Sequence, residues 1–262
     1  MSSRVVASPP PPGNVVLDVD GCLTIDGSAV PGASDALREI QRLGLRCIIA
    51  TNNSTRTALN VAKRLSALLG VDLDPESIVT SSMAVVSLLD PTHDPVLVIG
   101  EDGIRMALSD AGITTTEDPD VARSVVVGLD RGFDYDALRR AARAVASGAA
   151  LFATNDDATF PSAGPDMPGA GSILAAVEAA SGRKAIVAGK PYAPMVRCVS
   201  GLLARGTTWV VGDRPETDVA FARAGGWYAV LVLTGVTSEG AAVTPSPDLI
   251  IPSVADLPRL IS

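Results

Sequence analysis

The chain has 262 residues, enough for one large domain or two of modest size, and its 47% hydrophobic, 19% charged composition is that of a globular protein. A net charge of -8 argues against a nucleic-acid partner, whose affinity would come from Lys and Arg neutralising phosphates. No stretch approaches the ~18 consecutive apolar residues of a membrane span, the three cysteines form no CxxC pair, and the single histidine, His93, excludes mechanisms built on two.

Residues 1–13, with the run Pro9 to Pro12, read as a disordered or polyproline lead, too polar and Pro-rich for a secretory signal. A cytoplasmic protein is the expectation. The apolar, β-branched run Asn14 to Leu17 then predicts a buried strand of a parallel sheet, ending in Asp18-Val19-Asp20-Gly21. Two carboxylates that close repel at neutral pH, so the pair makes chemical sense if a divalent cation or a shared proton lies between them. A solvated strand-end turn is the alternative.

A polar loop leads to a helix over Ala33 to Leu43, with Ser34 as its N-cap, and to a second strand, Leu45 to Ala50, which stops at Thr51-Asn52-Asn53-Ser54. A helix over Thr55 to Leu69 puts Leu59, Ala62, Leu65 and Leu69 on one face. A third strand (Ile78 to Thr80) and a short helix (Met83 to Leu89) complete a βαβ pattern of covered parallel sheet. Pro91 to Pro95, with His93 among turn residues, is a candidate boundary.

The pattern restarts with strands at Val96 to Ile99, Ser124 to Val127 and Ala150 to Thr154, and helices at Gly103 to Asp110 and Asp134 to Ser147. An irregular loop from Asn155 to Gly171 carries Pro161, Pro165 and Pro168; loops that long are often functional. After a helix at Ser172 to Ala180, Ser181-Gly182-Arg183 marks a second boundary. Ala185 to Ala188 leads into Gly189-Lys190-Pro191, and a helix spans Met195 to Ala204. The strand Thr207 to Val211 runs into Gly212-Asp213-Arg214-Pro215-Glu216-Thr217-Asp218. A helix (Val219 to Ala224), a strand (Tyr228 to Leu233) and an edge strand at Leu249-Ile250 close the chain.

A parallel sheet brings the carboxyl ends of its strands together, so Asp18 and Asp20, Thr51-Asn52 and Asp213 should share one cleft with Lys190 beside them. That many carboxylates call for a hard cation, and Mg2+ suits an oxygen site with one or two direct carboxylates. A metal with a nearby Lys and exposed N–H groups is a phosphate site.

The ordered set Asp18-x-Asp20-Gly21, Thr51-Asn52, Gly189-Lys190-Pro191 and Gly212-Asp213-Arg214-x-x-Thr217-Asp218 resembles the haloacid dehalogenase superfamily of phosphohydrolases. Pro31-Gly32-Ala33, Ala153-Thr154-Asn155 and Pro168-Gly169-x-Gly171 resemble its NagD-type, nitrophenylphosphatase-like branch. The likeness runs from about Val15 to about Leu233. It implies an α/β fold with a Rossmann-like, three-layer parallel-sheet core over residues 14–82 and 185–262, and an inserted α/β cap over 83–184. It implies Asp18 as nucleophile, Asp20 as acid and base, and Thr51 and Lys190 as further catalytic groups. Thr51, Asn52, Asn53, Lys190 and Asn155 would bind substrate. Mg2+ would be held by Asp18, the main-chain carbonyl of Asp20 and Asp213, with Asp218 anchoring the site.

The implied substrate is a small phosphorylated metabolite, and a homodimer through the cap is a further expectation. A silent phosphate-binding protein and a transferase to an acceptor other than water are the alternatives. There are two departures from the pattern: Cys22 stands where Thr or Val is usual, and the loop Asp156 to Pro161 matches no substrate signature.

Overall fold

Strand β1 (Pro12–Leu17) lies in the middle of a six-stranded sheet and is buried on both faces, with Val15, Val16 and Leu17 at most 1% exposed. The computed structural model describes residues 9–160 and 166–261; most of the proline-rich lead and Pro161 and Pro165 of the long loop lie outside the described residues. With β2 (Arg46–Thr51) and β3 (Ile78–Thr80) on one side of β1, and three later strands on the other, the sheet is parallel throughout. Near-continuous apolar strands are what such a doubly covered sheet needs. The first strand starts at Pro12, two residues earlier than the sequence reading, and Trp209 Nε1 donates to Pro10 O at 2.9 Å.

A second parallel sheet is built from the segment between the two core halves. Its strands are β4 (Val96–Ile99), β5 (Thr115–Thr116), β6 (Ser124–Val127), β7 (Ala150–Ala153) and β8 (Ile186–Val187), in the order β8-β7-β6-β4-β5. β8 pairs with β7, so the short apolar run before Lys190 belongs to this inserted sheet and the chain re-enters the core only after it. The remaining core strands are β9 (Thr207–Gly212), β10 (Tyr228–Val232) and β11 (Leu249–Ile251), giving the core order β11-β10-β9-β1-β2-β3.

The helices follow the apolar periodicity with shifts at their ends. Helix α1 (Ala33–Arg42) is capped by Gly32 at φ +82°, and Ser34 lies inside it. A Cβ at Gly32 would also come within 2.5 Å of Ala255 Cβ, so both backbone and space select glycine. Helix α2 (Ala58–Leu69) is capped by Thr57, whose side chain accepts from Asn60 N, and it buries Val61, Ala62, Leu65 and Leu69. Leu59, expected on that face, is exposed, because it lies roughly 100° around the helix from the centre of the stripe formed by Val61, Ala62, Leu65 and Leu69. The loop after Asn155 contains a small antiparallel pair, Thr159–Phe160 with Met167–Pro168, that alternation did not reveal.

One apolar cluster runs through both sheets: Val16, Ile48 and Val210 of the core join Val98, Ile104, Val126 and Phe152 of the insertion through Ala84 and Val85. The insertion is thus seated on the core by burial, the main favourable term in such packing.

Candidate active site

The strand register sets the site. Leu17 pairs with Ile49 on one side and with Val211 on the other, so all three strands end at one level, and Asp18, Thr51 and Asp213 emerge there together. Asp18 N donates to Val211 O at 2.9 Å, which fixes the carboxylate just past the last ladder bond. The ends open into a cleft of about 620 Å³, lined from the core by Asp18, Asp20, Thr51 and Asp213 and from the insertion by Leu129, Arg131 and Asp157.

Lys190 is the hinge of the electrostatics. Its side chain is 3% exposed, and Nζ lies 2.5 Å from Asp18 Oδ1 and 2.6 Å from Asp218 Oδ1. Burial alone would lower the pKa of this ammonium, but the two carboxylates override that and shift it upward. Burial raises the Asp18 carboxyl well above its usual range, against the pull of Lys190, and Asp218 and Asp213 add to the rise. Burial, then repulsion from Asp218, pushes Asp213 up to about 7.

Asp18, Asp213 and Asp218 offer carboxylate oxygens within 4.8 Å of one another. Both oxygens of Asp218 are occupied, Oδ1 by Lys190 and Oδ2 by the N–H of Arg214, so this residue anchors the group. Asp213 Oδ2 accepts from Val236 N at 2.7 Å, while Oδ1 is buried and has no hydrogen-bond partner among the described residues. A buried acceptor left open costs about 1–3 kcal/mol, and a divalent cation is the partner that fits an anionic oxygen beside a second carboxylate. The residues present therefore fit a hard cation held by Asp18 and Asp213.

The structure places the other expected site residues as follows. Asp20 is exposed at the cleft, its carboxylate outside the acidic group and 3.3 Å from Thr24 Oγ1. Thr51 is 3% exposed, and its hydroxyl accepts from Asn53 N. Asn53 lines the cleft but its Oδ1 is engaged by Thr55 N and Oγ1. Asn52 has both ends of its amide committed: Oδ1 accepts from Lys190 N at 2.7 Å, and Nδ2 donates to Lys190 O and to Asp157 Oδ2. Asn155 is 5% exposed and donates to Asn52 O at 2.8 Å. The side chains of Asn52 and Asn155 thus hold the Lys190 loop and the insertion in place.

Sequence reasoning missed the loop after β10. Thr234 Oγ1 donates to Gly21 O, Thr237 Oγ1 to Asp213 O, and Val236 N to Asp213 Oδ2, each at 2.6–2.7 Å. It also missed Asp157, whose carboxyl is raised by burial, with Asn52, Lys190 and Arg214 opposing. Small polar residues after a strand carry no distinctive signal, whereas Gly235 has a physical one. A Cβ there would lie 2.0 Å from Asp213 Oδ2, and one at Gly21 (φ +90°) 2.4 Å from the same oxygen. Gly235→Ala is expected to displace Asp213 and to weaken binding of a divalent cation at this site at least ~10-fold, with a stability loss of about 1–3 kcal/mol for the overpacking. A titration of the protein with divalent cation and a denaturant melt check this, and an unchanged titration would refute it.

Comparison with known proteins agrees with this geometry. Residues 15–114 match the haloacid dehalogenase-like hydrolase family, and 187–257 match a second HAD-hydrolase-like family. The chain belongs to the haloacid dehalogenase-like hydrolases. It is 35% identical to chronophin of Homo sapiens over 93% of this chain and 91% of the relative. It is 34% identical to the ribonucleotide monophosphatase NagD of Escherichia coli K12, over 93% of this chain and 97% of that one. The p-nitrophenyl phosphatase from Archaeoglobus fulgidus superposes with a TM-score of 0.88 at 29% identity, covering 95% and 99% of the two chains. Within the family this is a phosphatase of the NagD and p-nitrophenylphosphatase branch, with the second sheet as its inserted cap, acting on small phosphorylated substrates.

Proposed function

We propose that the protein is a Mg2+-dependent phosphomonoester hydrolase that works through an aspartyl phosphate on Asp18. The observation that carries this reading is the buried, partnerless Asp213 Oδ1 beside an Asp18 whose Oδ1 is gripped by Lys190. No described residue donates to the other Asp18 oxygen, which is left to attack phosphorus.

The P–O bond to the leaving alcohol breaks as the Asp18 O–P bond forms, and Asp20 gives its proton to the departing oxygen. Asp20 then takes a proton from water as the water attacks phosphorus and the Asp18 O–P bond breaks. Exposure of Asp20 to the cleft suits both transfers. Lys190 and the Thr51 hydroxyl offset charge on the phosphoryl oxygens, where preorganised donors give most of the rate. The bound cation would neutralise the acids and polarise the phosphoryl group. Homodimerisation through the cap is part of this proposal and is read directly by solution mass.

The test is hydrolysis of p-nitrophenyl phosphate with and without Mg2+. Metal-dependent release is expected, and its absence would sink the reading. A melting series adds a readout independent of turnover. A carboxyl whose pKa is raised by folding binds its proton more tightly when folded, so its contribution is full below the unfolded value near 3.8 and is lost as pH rises through about 7. The cation-free protein should thus lose stability across that window. Mg2+ at 100 times its dissociation constant should restore about 2.7 kcal/mol, mostly above pH 6.

A further inference from the structure

Among the described residues, four cationic side chains line the cleft: Arg64, Arg131, Lys190 and Arg214. Three already have carboxylates. Lys190 lies between Asp18 and Asp218, Arg131 is 2.7 Å from Glu101, and Arg214 has Glu216 at 3.9 Å. Arg64, half-buried on α2, makes no ion pair or hydrogen bond with any described residue. Asp20 and Asp26 line the same cleft, yet neither pairs with it.

Its location assigns the part of the substrate it would meet. Arg64 lines the cleft and also a small recess beside it, which it shares with Asp20, Thr51, Asn53 and the exposed Arg56. In the proposed mechanism Asp20 is the acid that meets the leaving oxygen, so a substrate group that reaches past Asp20 to Arg64 is assigned to the alcohol. Gly27 faces the guanidinium, and the position of a Cβ there would be 3.4 Å from Nη2, so the loop crosses it without a side chain in the way. A guanidinium with five fixed donors and no acceptor is suited to take a planar or tetrahedral anion with two of them.

We propose that the alcohol portion of the substrate carries a second anionic group, a carboxylate or a second phosphate, and that Arg64 binds it and sets specificity. This rests on the phosphatase reading and names the substrate class of the same site. The experiment compares kcat/KM for matched pairs in the full-length protein with Mg2+. One pair is 3-phosphoglycerate against glycerol 3-phosphate, which differ in a carboxylate; the other is fructose 1,6-bisphosphate against fructose 6-phosphate, which differ in a phosphate. The protein is expected to favour the anionic member of at least one pair by 10-fold or more, and which pair responds tells carboxylate from phosphate. Arg64→Met should cost that member at least 10-fold more than its neutral counterpart, and Arg64→Lys should recover part of the difference. No preference in either pair, or a preference that survives Arg64→Met, overturns the proposal. Failure of the phosphatase reading looks different: no Mg2+-dependent phosphate release from any ester, p-nitrophenyl phosphate included, and that result overturns both.

Discussion

Asp18→Asn is expected to lower kcat by at least ~10⁴-fold and to leave the melting curve within a few degrees of the parent protein. Loss of a nucleophile that acts as one unit with its partners costs this much in other hydrolases. The amide keeps the shape of the carboxylate at the end of β1 and removes one of three crowded negative charges, so the fold has no reason to suffer. Lys190 keeps Asp218 as its counter-charge. Steady-state kinetics and a thermal melt are the two measurements, and turnover near the parent rate would remove Asp18 from its role.

Lys190→Met is expected to damage both stability and rate. The ammonium is fully enclosed and is the shared counter-ion of Asp18 and Asp218, so its removal strands two buried charges. Breaking such an arrangement costs about 3–5 kcal/mol, which for a chain of this size lowers Tm on the order of 10 °C. The rate should fall ~10²- to 10³-fold or more, as when a preorganised donor is lost. Mg2+ should recover part of the stability by taking up the charge of Asp18, and little of the rate. A variant that melts like the parent protein would show that the acids are compensated elsewhere.

Much of this site was legible because it is built at strand ends. Buried apolar runs followed by Asp18, Thr51 and Asp213 are visible in a linear sequence, and a parallel sheet has only one edge at which to gather them. The run Ile186-Val187 shows the limit. Its composition announces a strand but not which sheet takes it, and pairing with β7 places it in the cap. Asn52 and Asn155 were legible as polar groups near the cleft, but the Asn52 amide bonds to the Lys190 backbone and the Asn155 amide to the Asn52 carbonyl, which depends on contacts 138 and 103 positions apart. The loop Thr234 to Thr237 was opaque because a turn of small residues looks alike whether or not it carries a carboxylate. Arg64 was hidden for a related reason: an arginine on an amphipathic helix is ordinarily solvated, and only the three-dimensional census of partners shows this one unclaimed.

The central seam of the core sheet joins β1 to β9, and Asn14 meets Thr208 across a separation of 194 positions. A chain made from its N-terminus therefore exposes one edge of β1 while the whole cap is synthesised, and every strand of the cap sheet is available before β9 exists. Long-range parallel pairing is slow and leaves such edges open to wrong partners. The order of synthesis favours a cap that folds first and a catalytic sheet that closes last, so an interrupted chain ending before Asp213 has a cap but no cation site.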